Sequence, residues 1–410
     1  MKVLLMNQFF WPDSAATSQL LTDLARDLAA QGHQVSVICG GTYAETAAEE
    51  APNVTIYRVK SRKFSRGTLG RVLSYATFYL GAAWSALTVE KPDVVLTLTT
   101  PPLLSVVGAL VQKLRSARFF IWEMDVYPDV AVDLGYLRAG SLPARAIGLV
   151  ADWSRRQADG VVALGECMRA RLVARGVDTS KITTIDNWAD STQIRVLPRQ
   201  GAGMPLQIVY SGNLGLAHDV DTVLGAMKHL QGDPRFHFTF GGGGARHSEL
   251  SCFITENNFQ AVTIRPYVAR ADLSEVLGFG DIGLVTQRDD CCGSVVPSKI
   301  YGLMAAGRAI LFLGPAAATP AHIVTTYKCG WHVACGDSES LVQLLEYLAQ
   351  HPEEIDLAGN NAREALLQHF DRPLGTGRMI ALLAGGDAVA PSQQQTTVTN
   401  NASSVLTVTQ

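Results

Sequence analysis

Residues 197–215 read LPRQGAGMPLQIVYSGNLG, and the change of character inside this stretch decides how the chain is organised. Residues 198–205 carry Pro and Gly with little apolar periodicity, the composition of a linker. A β-branched and aromatic run, Gln207–Tyr210, then begins, followed by a glycine turn (Ser211 to Gly215) and a helix-like stretch to Leu230. A short apolar run, a glycine turn and a helix are the parts of a βα unit, so a folding pattern starts here.

The same pattern extends in both directions. Toward the C-terminus, strand-like runs occur at Phe236–Phe240, Val262–Ile264, Ile282–Val285 and Ile310–Leu313. Toward the N-terminus they occur at Lys2–Asn7, Gln34–Cys39, Val54–Val59, Val94–Leu98, Phe119–Trp122, Val161–Leu164 and Ile182–Ile185. Helical patterns separate them, which means βαβ units and parallel sheets. The sequence therefore predicts an α/β protein of two Rossmann-like domains facing a central cleft. The expected boundaries are 1–197 for the first domain, 198–205 for the linker and 206–385 for the second. Residues 388–410 carry no charge and are dominated by Gln, Thr, Ser and Asn, so a disordered tail is expected there.

Composition excludes several function classes. Of 410 residues, 47% are hydrophobic and 17% charged, which excludes disorder for the chain as a whole. Lys+Arg 34 against Asp+Glu 37 gives a net charge of -3, not the basic balance of a nucleic-acid binder. Seven cysteines form no disulfide framework, and no Cys/His cluster has zinc spacing, so a reducing cytosol and no metal are expected. The apolar run of MKVLLMNQFFWPD stops at Asn7 with no small-residue cleavage site after it, so it reads as a buried first strand.

Ligands of open parallel sheets bind beyond the carboxyl ends of the strands, which makes those loops the candidates. Gly212, Asn213 and Gly215 follow one strand, and Gly241, Gly242 and Gly243 follow the next. Glycines there let backbone N–H groups approach an anion, although ordinary tight turns have the same composition. Neither run is G-x-G-x-x-G at the first βα turn of the chain, so a nicotinamide fingerprint is not supported. In GSVVPSKIYGLMAAG, residues 293–307, Pro297-Ser298 is a good helix start, with Ser298 as N-cap or first-turn residue. Lys299 then opposes the helix dipole unless an anion is bound, and a diphosphate would satisfy both; the alternative is a solvated surface lysine. Asp125, beside Tyr127-Pro128 at the end of a buried strand, is a candidate to hydrogen-bond a ligand hydroxyl, or else a turn aspartate. Asp13 has the same two readings, and Asn187-Trp188 either lines the cleft or anchors the linker.

Arg62, Lys63 and Arg66 belong to a basic run without acidic residues, and an uncharged stretch from Val72 to Val89 follows with Tyr75, Phe78, Tyr79 and Trp84. It is at the short edge of the roughly 17–25 residues that span a bilayer, and a βαβ unit needs it as a crossover. Two readings remain: a buried helix after solvated cations, or a surface that sets cations on anionic headgroups and aromatic rings at the acyl boundary.

The two halves, the glycine turn opening the second, and P-S-K-x-Y-x-x-M-A-A-G at 297–307 together resemble a family. So do NQFFWPDSAATSQLLTDLARDLAAQGHQVSVIC, WEMDVYPD, the NWAD turn at Asn187–Asp190, YSGNLGLAHDVDTVL and DIGLVTQ. The chain resembles the retaining GT-B glycosyltransferases of family 4, in the colanic-acid and O-antigen exopolysaccharide branch, over all but its tail. That resemblance implies a nucleotide-sugar donor held by the second half, at Gly212, Asn213, Gly215, Gly241, Gly242, Gly243, Ser294, Pro297, Ser298 and Tyr301. It implies catalysis by Lys299 and Asp125, and an acceptor in the first half near Asp13, Asn187 and Trp188. No bound metal or other cofactor is implied, since side chains and a helix end neutralise the diphosphate. Retention would follow front-face attack, with the leaving phosphate accepting the acceptor proton, so positioning carries the rate. A lipid-diphosphate-linked saccharide acceptor favours the surface reading of Arg62–Trp84 and a cytoplasmic protein on the inner face of the plasma membrane, with no nucleic-acid partner. The chain departs from the family in two places. Ser294 and Gly302 stand in register with a glutamate pair, and Asn213 and His218 stand where relatives often carry Arg and Lys. The same fold also allows a nucleotide-sugar 2-epimerase-like isomerase, which needs carboxylates for proton abstraction and would not explain Arg58–Val89. The missing glutamate pair keeps open a non-catalytic nucleotide-sugar-binding partner.

Overall fold

The structure is a computed structural model that describes residues 1–13, 15–41, 53–59, 68–199, 205–267 and 272–386. Its first sheet contains β1 (Lys2–Met6), β2 (Gln34–Gly40), β3 (Val54–Val59), β4 (Val94–Thr97), β5 (Arg118–Trp122), β6 (Gly160–Ala163) and β7 (Ile182–Thr184). The crossovers carry α1 (Ala16–Ala30), α2 (Thr68–Thr88), α3 (Ser105–Arg115), α4 (Asp129–Asp133), α5 (Leu142–Gln157) and α6 (Glu166–Ala174). All strand pairs are parallel, in the order β3-β2-β1-β4-β5-β6-β7. Helices cover both faces, which is why Val3 to Met6 and Val94 to Leu96 are buried without alternation.

The second sheet contains β8 (Leu206–Asn213), β9 (Phe236–Gly243), β10 (Val262–Arg265), β11 (Ile282–Thr286), β12 (Ala309–Leu313) and β13 (Gly330–Val333), ordered β10-β9-β8-β11-β12-β13. Its helices are α7 (Asp221–His229), α8 (His247–Glu256), α9 (Leu273–Gly278), α10 (Lys299–Ala305), α11 (Thr319–Thr326), α12 (Ser338–Gln350) and α13 (Pro352–Ala365). Strand order reverses at β1/β4 in one half and at β8/β11 in the other, and the crevices beyond those two points are where such sheets bind ligands. The edge strand β13 was not expected from sequence, because Gly-Trp-His-Val is half-buried and has no β-branched run.

One element crosses the expected boundary. The last helix, α14 (Arg372–Ala384), leaves the second half and packs on the first, where Met379, Ile380 and Leu383 join the core around β1 and β5. Gly375 makes this possible, since a Cβ there would sit 2.3 Å from Trp188 Cε3. Arg372 fixes the start of the helix, with Asp27 at 2.6 Å, Asp190 at 3.1 Å and Asp23 at 3.5 Å. The outgoing and returning chains also bond to each other: Ala189 N donates to Phe370 O at 3.2 Å, and Arg372 N donates to Ala189 O at 2.9 Å. The interval assigned to the second domain, 206–385, thus ends with a helix of the first.

The surface reading of α2 needs correction. Phe78 is fully buried in the first core, and Tyr79 packs against that core. Tyr75 and Tyr79 turn toward Tyr127, whose phenol they help to push above its ordinary range, burial being the larger cause. Of the four aromatic residues, Trp84 is the one that is outside, with Leu80 and Leu87 beside it. Leu110 and Leu114 of α3 and Leu142, Leu149 and Val150 of α5 are exposed on the helices packed alongside. Arg62, Lys63, Arg66 and the tail 388–410 lie outside the described residues. Among the described residues, no helix is long and apolar enough to cross a membrane.

Candidate functional site

A cavity of about 690 Å³ opens between the halves. The first half contributes Gln19 and Asp23 of α1 and Trp188. The crossing chain contributes Ala189, Asp190, Gln193 and Ile194, the last already in the second half's core; the second half contributes the ends of β8, β9 and β10, α9 and the start of α10.

The glycine runs act differently from the expected turns. β8 continues through Asn213 and β9 through Gly243, pairing Gly212 with Gly242 and Asn213 with Gly243. At Gly212 φ is +123°, and a Cβ would meet Lys299 Cε at 2.7 Å. At Gly242 φ is +114°, and a Cβ would meet Gly212 O at 2.3 Å. Only glycine combines these φ values with so close an approach. The result is a bare backbone ledge with the lysine laid across it.

Lys299 Nζ donates to Asn213 O at 3.1 Å and to His218 Nε2 at 3.3 Å, and stands 5.0 Å from the Tyr210 ring centre. None of these partners carries negative charge. Because His218 Nδ1 faces the carbonyl oxygen of Thr286 at 2.8 Å, that nitrogen bears the proton and Nε2 offers its lone pair to the ammonium. Burial, and then Lys299 itself, push the imidazole down to about 3, so the ring is neutral. Burial also lowers the Lys299 ammonium to about 8. Ser298 lines the cavity and stands at the N-cap position of α10, with helical backbone angles and no capping hydrogen bond from its side chain.

The other expected residues divide. Gly212, Asn213, Gly241, Gly242, Ser298, Lys299 and Trp188 line the cavity; Gly215 and Gly243 do not, Gly243 lying beneath Tyr267. Ser294 is fully buried, with its hydroxyl donating to Cys291 O at 3.1 Å, and Pro297 is buried too. Tyr301 points away from the cleft, its hydroxyl 3.4 Å from Asp186 and its ring against Phe370. On a helix, two residues on from Lys299 is the opposite side, and that accounts for Tyr301. Asp13 accepts from Ala15 N at 2.9 Å at the start of α1 and does not line the cavity. Asn187 is buried behind Trp188, which both lines the cleft and anchors the crossing, stacked on Trp122 at 5.4 Å with Nε1 donating to Asp23 at 3.3 Å.

Asp125 sits where the two halves touch. Its N–H donates to Thr99 Oγ1 at 3.1 Å, it forms an antiparallel bridge with Val295, and Val126 N donates to Ser294 O at 2.8 Å. Burial, and then Glu123, raise its carboxyl to about 6. Glu123 is itself buried against Arg155 at 2.6 Å. Asp125 is not one of the residues lining the cavity around Lys299.

Sequence reading missed the far end of the cavity. Arg265 stacks its guanidinium 4.2 Å from the centre of the Phe279 ring, next to Pro266 and Tyr267. Thr239 is buried on the wall with an unpartnered hydroxyl. Its signal was the strand period: Phe236, Phe238 and Phe240 point into the second core, which leaves Thr239 on the other face. Among the described residues, no group of three or more His, Cys, Asp or Glu is placed to hold a metal ion.

Residues 17–188 match the glycosyl transferase 4-like domain family, and residues 198–365 match the glycosyl transferases group 1 family. A Pseudomonas aeruginosa protein named "Probable glycosyltransferase WbjE" is 28% identical over 339 residues, covering 78% of this chain and 81% of the relative. An Escherichia coli K12 protein, WcaI, named for colanic acid biosynthesis, is 23% identical over 336 residues, covering 75% of this chain and 82% of that one. The crystal structure of Anabaena Alr3699/HepE with UDP-glucose superposes with a TM-score of 0.72 at 15% identity, over 94% of this chain and all of the other. Two parallel sheets facing one cleft, with both domain matches in chain order, place this chain among the family 4 glycosyltransferases of the GT-B fold.

Proposed function

We propose that this glycosyltransferase moves a sugar, with retention, from a nucleoside-diphosphate sugar to a lipid-diphosphate-linked saccharide during assembly of a bacterial surface polysaccharide. The observation that carries the donor reading is Lys299, a cation held over a glycine ledge by a carbonyl oxygen and a neutral imidazole. A half-buried cation with neutral partners is costly unless an anion joins it, and a diphosphate has the charge and the reach. The base then extends toward Arg265, Phe279 and the free hydroxyl of Thr239. The UDP-glucose bound by the Anabaena neighbour supports this class of donor, and the colanic acid biosynthesis in the name of WcaI supports this class of pathway.

In the proposed step the acceptor hydroxyl attacks the anomeric carbon on the face the phosphate leaves. The bond from carbon to phosphate oxygen breaks, and the leaving oxygen takes the hydroxyl proton. Lys299 stabilises the charge that develops there, without a bound metal, and Asp125 positions the acceptor. The cations at 62–66 and the apolar patch around Trp84 would hold the first half on an anionic membrane surface on the cytoplasmic side.

Incubating the purified chain with candidate nucleotide sugars, with and without a lipid-diphosphate saccharide, tests the proposal. Transfer that depends on the acceptor supports it. Isomerised donor without acceptor would instead indicate an epimerase, and binding without turnover a non-catalytic partner.

A further inference from the structure

One helical turn beyond Lys299, on the same side of α10, Gly302 lines the cavity. Nothing in the backbone calls for glycine. The residue is helical with no positive φ, and a Cβ added there would meet only Leu277 Cδ1, at 3.4 Å, an ordinary contact. Glycine inside a helix is destabilising relative to alanine, so its effect here is the room it leaves. That room is walled by Val276, Leu277, Leu284 and Leu303. Among the described residues lining the cavity, the carboxylates are Asp23 and Asp190; both come from the first half's side, and both pair with Arg372.

Resting on the nucleoside-diphosphate reading above, we infer that the donor's pentose lies against Gly302 and is taken as a 2′-deoxypentose, so that the substrate class is a 2′-deoxynucleoside diphosphate sugar. With the diphosphate at Lys299 and the base toward Arg265 and Thr239, the pentose falls between them, alongside Gly302 and Leu303. A ribose brings two vicinal hydroxyls, which a carboxylate accepts together. Among the described residues this wall carries no carboxylate, and a hydroxyl buried against leucines loses its water without gaining a partner. A 2′-methylene makes apolar contacts instead. The preference is graded, because an apolar pocket rejects an isostere that adds a hydroxyl by about 10² at most.

UDP and 2′-deoxy-UDP differ by one hydroxyl, so titrating both into the full chain by calorimetry removes the base from the comparison. The same pair with guanine, adenine and cytosine covers the other bases. For the base that binds best, the deoxy member should bind roughly 10-fold tighter, within the range set by one unpaired hydroxyl. Gly302→Glu, which restores an acceptor, should reverse the order. Equal or tighter binding of the ribose member to the wild type overturns the inference. Failure of every nucleoside diphosphate to bind at millimolar concentration would instead overturn the donor reading itself.

Discussion

Lys299 and His218 form a cation–imidazole pair, Nζ to Nε2 3.3 Å, in which burial and then the charge of Lys299 keep the ring neutral while Nδ1 faces the Thr286 carbonyl. The ammonium therefore keeps its whole charge for a ligand. Lys299→Ala should lower turnover about 10²–10³-fold, the range found when one charge-stabilising donor is removed. Thermal stability should change little, because the variant also removes a half-buried charge that has no anionic partner. Near-normal turnover would remove Lys299 from the donor site.

The pH dependence has two opposite signs. Between about 8 and the ordinary lysine value of 10.5, the unfolded chain keeps a proton that the folded chain has released. Stability from this group therefore rises with pH across that window. Diphosphate affinity should fall over the same window as the ammonium loses its charge. Both trends should vanish in Lys299→Met, followed by melting temperature and by nucleotide titration.

Gly212→Ala tests the ledge. The added methyl would stand 2.7 Å from Lys299 Cε on a residue at φ +123°. Backbone strain of this kind costs about 1–3 kcal/mol, and the lysine must also move. A lowered melting temperature together with weakened donor binding is expected; loss of stability with unchanged binding would separate the glycine from the site.

Asp125→Asn should act on the acceptor side. With the carboxyl raised to about 6, turnover that needs its ionised form should climb as pH rises through that value. The variant should lose this limb and about 10–10² of kcat, below the full range of acid–base catalysis because the group positions the acceptor. Donor affinity should stay unchanged, and a shared loss of both would mean a collapsed domain contact.

For the membrane, Leu80→Ser with Trp84→Ser should weaken binding to anionic vesicles, since both side chains are about three-quarters exposed. Arg62, Lys63 and Arg66 changed to Glu should weaken it further, by about 1 kcal/mol per cation, and added salt should mimic that loss. Transfer to a short water-soluble acceptor should survive. Vesicle binding equal in all variants would reduce the patch to a bare helix face.

Alternating strands and helices made both sheets legible, because a strand covered on both faces must be apolar throughout. Edge strands are less covered, and β13, half-buried and without a β-branched run, was the one missed. Within the site, Lys299, Gly212 and Gly242 were legible because charge and backbone freedom show in sequence. Orientation was not. Tyr301 and Ser294 share the motif of Lys299 yet face the core, and Thr239 and Arg265 reach the cleft from strands whose register only the fold fixes. The return of α14 was equally hidden, since Arg372 meets Asp23 and Asp27 across some 345 residues of chain.

That return makes the crossing between the halves double-stranded, with Ala189 and Arg372 hydrogen-bonded side by side. A single tether lets two bodies swivel freely; two tethers bonded together behave like the pin of a door. Opening and closing are confined to a swing about that line, and twisting of one half on the other is resisted. A cut within 198–205 would fall beyond that line, since Ile194 and Arg199 are already seated on the second half, so a nicked protein should still travel as one particle and still shut on its ligand.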